Sequence, residues 1–225
     1  PRRVIGLSRS VTERLAASGV ALDRIVQLPS AVELAALAPL RRAPADDQRP
    51  LLVAAGALTR EKGHRILIEA FARIASRMTG ARLVIVGAGP ERAILESCIA
   101  AHGLAGRVEL LGELEDAASR IAGATILIQP SLREALGTAV LEAMALGVPV
   151  IASATGGLVE LLADDHGVLV IPGDVPSLAA ALESLLDDPA RRTRLAGRGL
   201  VRVRGFDSAR VAAAVAGVYR SALTE

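Results

Sequence analysis

The chain has 225 residues, 52% hydrophobic and 22% charged, enough for one large domain or two small ones around a substantial core, which excludes a disordered chain. A net formal charge of +2 and only three aromatic residues, Phe71, Phe206 and Tyr219, exclude a stacking platform for single-stranded nucleic acid, and no nucleic-acid partner is expected. The apolar runs are broken by Arg, Glu or Gly well before the ~18 residues of a membrane span, and no leader peptide is expected. The single cysteine, Cys98, forbids an intrachain disulfide, reads as a small buried hydrophobe and suits a reducing, cytoplasmic setting. Of 26 basic residues, Lys62 is the sole lysine, so its site merits a chemical explanation.

In chain order, VIGLS (4–8), a helix from Val11 to Ala17 and RIVQLP (24–29) predict a β-α-β unit. A stretch rich in Pro and charge (38–50) reads as a linker. Starting at Pro1, one step before a strand, residues 1–37 are expected to be the end of a preceding domain of a longer protein. Strands follow at 51–56, 82–87, 107–112, 124–130, 148–153 and 167–171. Between them, 63–78 places Leu67, Phe71, Ile74 and Met78 on one helical face, 91–101 does so with Ile94, Leu95, Cys98 and Ile99, and 137–146 and 176–186 follow suit. The alternation predicts a doubly wound α/β domain over 51–205, a Rossmann-like parallel sheet whose ligands bind beyond the carboxyl ends of its strands. The arginines of 191–206 form a solvated helix face or meet an anionic membrane, and a last helix (208–223) presents Val211, Ala214, Val215 and Val218 for packing.

Three places could cradle phosphate. IVGAGPER (85–92) offers a strand, Gly87, Gly89 and a helix, but Arg92 stands where a dinucleotide fingerprint needs its third glycine, so a nicotinamide oxidoreductase is a weak alternative. GALTREKGH (56–64) ends a strand at Gly56 and carries Arg60, Lys62 and Gly63 before a helix; an ammonium on a flexible stem can follow a departing diphosphate. The third, PSLREALGTAVLEAMALGVPVIASATGG (130–157), puts Glu134 in a loop before Gly137 and Thr138 open a helix with free backbone amides. Glu142 lies about 7.5 Å further along that helix, the span from a diphosphate to a ribose, where its carboxylate can accept from two vicinal hydroxyls. No His, Asp or Glu cluster has metal-ligand spacing, so neither metal nor cofactor is expected.

Glu134-x7-Glu142, AMALGVPVIAS, Gly156-Gly157, Lys62-Gly63, Pro130-Ser131 and the PGD at 172–174 resemble, in this order, the carboxyl-terminal, donor-binding half of retaining GT-B glycosyltransferases of the family 4, or group 1, type. The resemblance implies hexosyl transfer from a nucleotide-diphosphate sugar, UDP- or GDP-linked, to an acceptor sugar or lipid-linked glycan held by another domain. Glu134 would hold donor-sugar hydroxyls and, with Lys62, act in catalysis, Lys62 neutralising the distal phosphate. Glu142 would take the ribose, the amides of Leu136, Gly137 and Thr138 the diphosphate, Gly56 and Arg60 would join the phosphate site, and Gly112-Glu113 would meet the base. Family members often carry arginine where this chain has Ala57, and an inactive nucleotide-sugar-binding module is the alternative. The last helix, from 206 onward, would cross back to the preceding domain, with peripheral contact to the inner membrane face as a further expectation.

Overall fold

A computed structural model describes residues 3–42 and 49–224. Six parallel strands form one sheet in the order β5-β4-β3-β6-β7-β8: β3 (Leu51–Ala55), β4 (Arg82–Val86), β5 (Val108–Gly112), β6 (Ile126–Gln129), β7 (Val150–Ser153) and β8 (Val168–Val170). The order runs outward from β3 in one direction and from β6 in the other, so the topological switch point lies between them.

Side chains alternate across the sheet as the strand period requires. Leu52, Ala54, Leu83, Ile85, Ile126, Ile128 and Ile151 face one core, and Val53, Ala55, Val84, Val86, Leu127, Val150 and Ala152 face the other. Helices α3 (His64–Ile74), α4 (Arg92–Ala101) and α8 (Val175–Leu186) cover the first. The second is covered by α5 (Ala117–Ala122), α6 (Thr138–Leu146) and α7 (Gly157–Leu162). The expected strands are all present. Helix 63–78 begins one residue later, because Gly63 is left-handed at φ 68°, and stops at Ile74, with Met78 in the turn that follows. Ile94, expected on the buried face of α4, is exposed, and Cys98 is only half-buried, because Leu95 and Ile99 take the core side. Burial pushes the Cys98 thiol up, with the nearby Glu69 carboxylate adding to it.

The expected β-α-β unit is β1 (Val4–Gly6), α1 (Arg9–Ala17) and β2 (Ile25–Gln27), a parallel pair in its own small sheet. It is tied to the main domain through Glu160 on α7, which accepts from the Arg9 amide at 2.7 Å and from Gln27 Nε2 at 3.2 Å. The first residues of the expected linker lie against the main domain. Leu37, at the end of α2 (Leu34–Leu37), is buried, Leu40 packs on the same core, and Arg41 Nε donates to Ala145 O at 2.7 Å. The rest of that stretch, 43–48, lies outside the described residues.

The arginine-rich segment forms α9 (Pro189–Arg202) and a 3-10 turn, and much of its charge is spent on structure. Arg192 is buried and donates to Leu185 O and Leu186 O at the end of α8, Arg202 lies over the Phe206 ring and donates to Glu160 O, and Arg198 pairs with Asp165. The last helix, α10 (Ser208–Thr224), buries none of residues 208–223; Val211, Val215 and Val218 are half-buried and Ala214 is exposed. Among the described residues no helix is long and apolar enough to cross a membrane.

Candidate functional site

The loops after β3 and β6 meet at the switch point, and glycines make the approach possible. A Cβ on Gly63 would sit 2.1 Å from Pro130 O, so only glycine lets the first loop lie against the second. The Leu132 amide then donates to Glu61 O at 2.7 Å, stitching the two loops together. The result is an ion pair between residues 72 positions apart: Lys62 Nζ lies 2.7 Å from Glu134 Oε2, with the two side chains 27% and 10% exposed. Gly56 lies beneath the Lys62 stem, where a Cβ would stand 3.6 Å from Lys62 Cδ.

Glu134 Oε2 has two further donors, Gln129 Nε2 and Ser131 Oγ, each at 3.1 Å. Its backbone is fixed by the loop after β7, because a Cβ on Gly156 would collide with Glu134 O, so only glycine lets the loops lie this close, and Thr155 Oγ1 donates to Leu132 O at 3.2 Å. Beyond it α6 begins at Gly137, at φ 100°, with no side chain capping the helix. The amides of Val140 and Leu141 return to Gly137 O, so those of Thr138 and Ala139 face outward without an intrahelical acceptor, as an anion site requires. Thr138 is exposed, whereas the Leu136 side chain is buried in the core, so only its backbone is available to a ligand.

Glu142, further along α6, is half-buried and has no hydrogen-bond or ion-pair partner among the described residues; burial alone pushes its carboxyl above the ordinary value. A half-buried carboxylate with no protein partner among the described residues can accept from hydroxyl groups of a ligand.

The remaining expected residues separate into two sets. Gly112 belongs to the floor of the site: its carbonyl accepts from the Gly87 amide at 2.7 Å, and the Gly56 amide in turn donates to Val86 O. Arg60 and Glu113 are exposed, and neither side chain is bonded to the Lys62–Glu134 pair. Arg60 instead lies near Glu61, whose carboxyl is held below the ordinary value by its own backbone amide, then by Thr59, with Arg133 and Arg60 contributing. The short 3-10 turn over Arg60–Lys62 leaves Lys62 half-buried against Glu134 and Arg60 exposed.

The glycines of IVGAGPER brace the Lys62 loop. A Cβ on Gly87 would come within 2.0 Å of Gly56 O and one on Gly89 within 2.5 Å of Leu58 O, while the Leu58 amide donates to Ala88 O. Two participants escaped sequence reasoning. Gln129 sits inside an apolar strand segment, and a buried polar residue at a strand's carboxyl end is the signal that marks it. His64, 2% exposed, places Nε2 3.2 Å from Ala57 O, with Nδ1 buried and unpartnered, and burial lowers its pKa.

A sheet of this order, with charged loops at its switch point, defines a doubly wound α/β domain, a fold whose ligands sit beyond the carboxyl ends of its strands. The family model "Glycosyl transferases group 1" matches residues 40–200, and the chain belongs to that family. Alpha-D-kanosaminyltransferase of Streptomyces kanamyceticus is 38% identical over 67% of this chain and 40% of its own length. Phosphatidyl-myo-inositol mannosyltransferase of Mycolicibacterium smegmatis is 33% identical over 87% of this chain and 52% of its own. The chain thus spans about half the length of such curated relatives. Among solved structures, sucrose-phosphate synthase of Thermosynechococcus elongatus superimposes with a TM-score of 0.84 at 29% identity, over 98% of this chain and 58% of that one. Anabaena HepE, solved with UDP and glucose, gives 0.87 at 22% identity, over 98% of this chain and 63% of that one, a likeness of fold. The fold is the Rossmann-like one of GT-B glycosyltransferases.

Proposed function

We propose that this chain is the donor-binding half of a retaining, family 4 type glycosyltransferase that moves a hexosyl group from a UDP- or GDP-sugar. Residues 51–205 form its donor domain, 1–37 belong to the acceptor side, 38–50 connect the two, and 206–225 return to the acceptor side. The observation that carries the reading is the Lys62–Glu134 pair, 2.7 Å apart at the switch point and next to the uncapped start of α6.

The diphosphate lies on the amides of Gly137 and Thr138, with the amide of Leu136 and the bare Cα of Gly56 flanking it, and Lys62 neutralises the distal phosphate as the glycosidic bond breaks. Glu134 receives donor-sugar hydroxyls, Glu142 takes the ribose, and the Gly112-Glu113 loop meets the base. Retention follows if the acceptor attacks from the leaving-group face, with the departing phosphate assisting its deprotonation. The acceptor, a sugar or lipid-linked glycan, is held by the other domain, at the cytoplasmic face of the membrane where it is lipid-linked. The reading involves no metal or cofactor. HepE, solved with UDP and glucose, supports a nucleotide-sugar ligand.

Calorimetric titration with UDP-, GDP- and ADP-sugars tests the donor site, and a folded chain that binds none of them refutes it. Transfer by the full-length polypeptide is expected to fall by at least two orders of magnitude in Lys62→Ala and Glu134→Ala, the scale of losing one transition-state electrostatic contact. Ala57, with Lys62 the only cation bonded to Glu134 among the described residues, favours a second reading as a binding module without catalysis. Donor binding without transfer by the full-length polypeptide would establish that reading.

A further inference from the structure

Three donors converge on one oxygen of Glu134, and only one of them is charged. Gln129 and Ser131 are 2% and 0% exposed, and every amide and hydroxyl hydrogen of the pair has an acceptor, while Gln129 Oε1 is buried without a partner. One amide hydrogen of Gln129 goes to Ser131 Oγ at 2.9 Å and the other to Glu134 Oε2 at 3.1 Å, while the Ser131 hydroxyl donates to the same Oε2 at 3.1 Å. Reversing the Gln129 amide would put its carbonyl oxygen 3.1 Å from a carboxylate oxygen, so the orientation is dictated by its partners. Among the described residues Glu134 Oε1 has no hydrogen-bond partner.

On the donor-site reading above, Lys62 has two claimants. In the ligand-free chain its ammonium is held by Glu134; with donor bound it serves the diphosphate. A carboxylate 10% exposed that loses its only cation is strongly destabilised unless other donors remain on it. We infer that Gln129 and Ser131 are positioning residues that hold the Glu134 carboxylate in place while Lys62 transfers from it to the donor diphosphate. Their neutral hydrogen bonds keep Oε2 satisfied after the ammonium leaves, so Oε1 stays aimed at the donor sugar. Lys62 therefore departs at low cost, its four-carbon stem needing only rotamer changes.

The test is a double-mutant cycle read by calorimetry with UDP, GDP and inorganic pyrophosphate, the last of which removes dependence on the base. Gln129→Met and Ser131→Ala are each expected to weaken diphosphate binding about tenfold while Glu134 is present, and by less than twofold in a Glu134→Ala background. Glu134→Ala alone is expected to bind pyrophosphate at least as tightly as the parent chain, because Lys62 is released. Two positioning variants are used so that a folding defect in one, seen in its thermal melt, leaves the other decisive. Equal losses with and without Glu134, or no loss in either variant, overturn the positioning role and leave the donor site intact. A parent chain that binds none of the three probes overturns both.

Discussion

Replacing Gly156 by alanine probes how the loop after β7 sets the position of Glu134. Gly156 caps α7 at φ 52° and ψ −136°, a region alanine adopts only with strain, and a Cβ there would lie 1.7 Å from Glu134 O. An ordinary carbon–oxygen contact is about 3.3 Å, so roughly 1.6 Å of separation must come from moving the Glu134 backbone or the start of α7. Backbone strain of about 1–3 kcal/mol adds to about 1–3 kcal/mol for forcing atoms into a packed region, an expected loss near 4 kcal/mol. Gly19→Ala is the control: its φ is 94° but nothing lies within 4 Å of the new Cβ. It should cost only the left-handed penalty, about 1–2 kcal/mol. Urea unfolding of both variants measures the difference, and nucleoside diphosphate titration reports whether the surviving fold keeps its site. If Gly156→Ala is no less stable than Gly19→Ala, the close approach to Glu134 O does not fix that loop.

Three further outcomes are expected. Glu142→Gln should raise stability at pH 7 and weaken donor binding tenfold or more. Burial raises the folded-state pKa of Glu142 above 4.5, so its ionisation costs stability as pH rises through that folded value, a penalty glutamine lacks; equal melting temperatures at pH 7 would contradict this. His64→Gln should flatten the loss of stability on acidification. With its folded pKa below 6.5, His64 takes up a proton in the unfolded chain first, so stability falls as pH drops below about 6.5, and an unchanged slope in urea midpoints would refute the assignment. Arg107→Ala should cost about 2–4 kcal/mol, since its guanidinium lies over the Phe71 ring and donates to the carbonyls of Ala75, Met78 and Ala81 at 2.6–3.1 Å. Arg107→Lys should restore little of it in chemical denaturation, because an ammonium does not span three carbonyls.

The strands, the main helices and the uncapped start of α6 are legible in the sequence because they depend on local properties. Apolar period, glycine at strand ends and an uncapped helix start are written within windows of ten to twenty residues. The Glu134-x7-Glu142 spacing likewise identifies a family whose membership the chain bears out. Where local reading failed, packing had intervened: Ile94 points outward although it shares the period of Leu95 and Ile99, and Leu40 and Arg41, read from sequence only as linker residues, make contacts that no local pattern announces. Much of the arginine-rich segment reads as charge in sequence but works as hydrogen-bond donor in structure, as Arg192 shows by ending α8.

By itself, then, the sequence determined a doubly wound parallel sheet, its order of elements, a lone lysine and a glutamate in loops that follow strands, and a second glutamate on the helix after one of them. Only the tertiary structure decided that Lys62 and Glu134 touch, that Arg60 does not join them, and that Gln129, Ser131 and Gly156 hold Glu134 in place. The reason is sheet adjacency: β3 and β6 are neighbours although 70 residues of chain separate their ends, and no local pattern reports which loops a parallel sheet brings side by side.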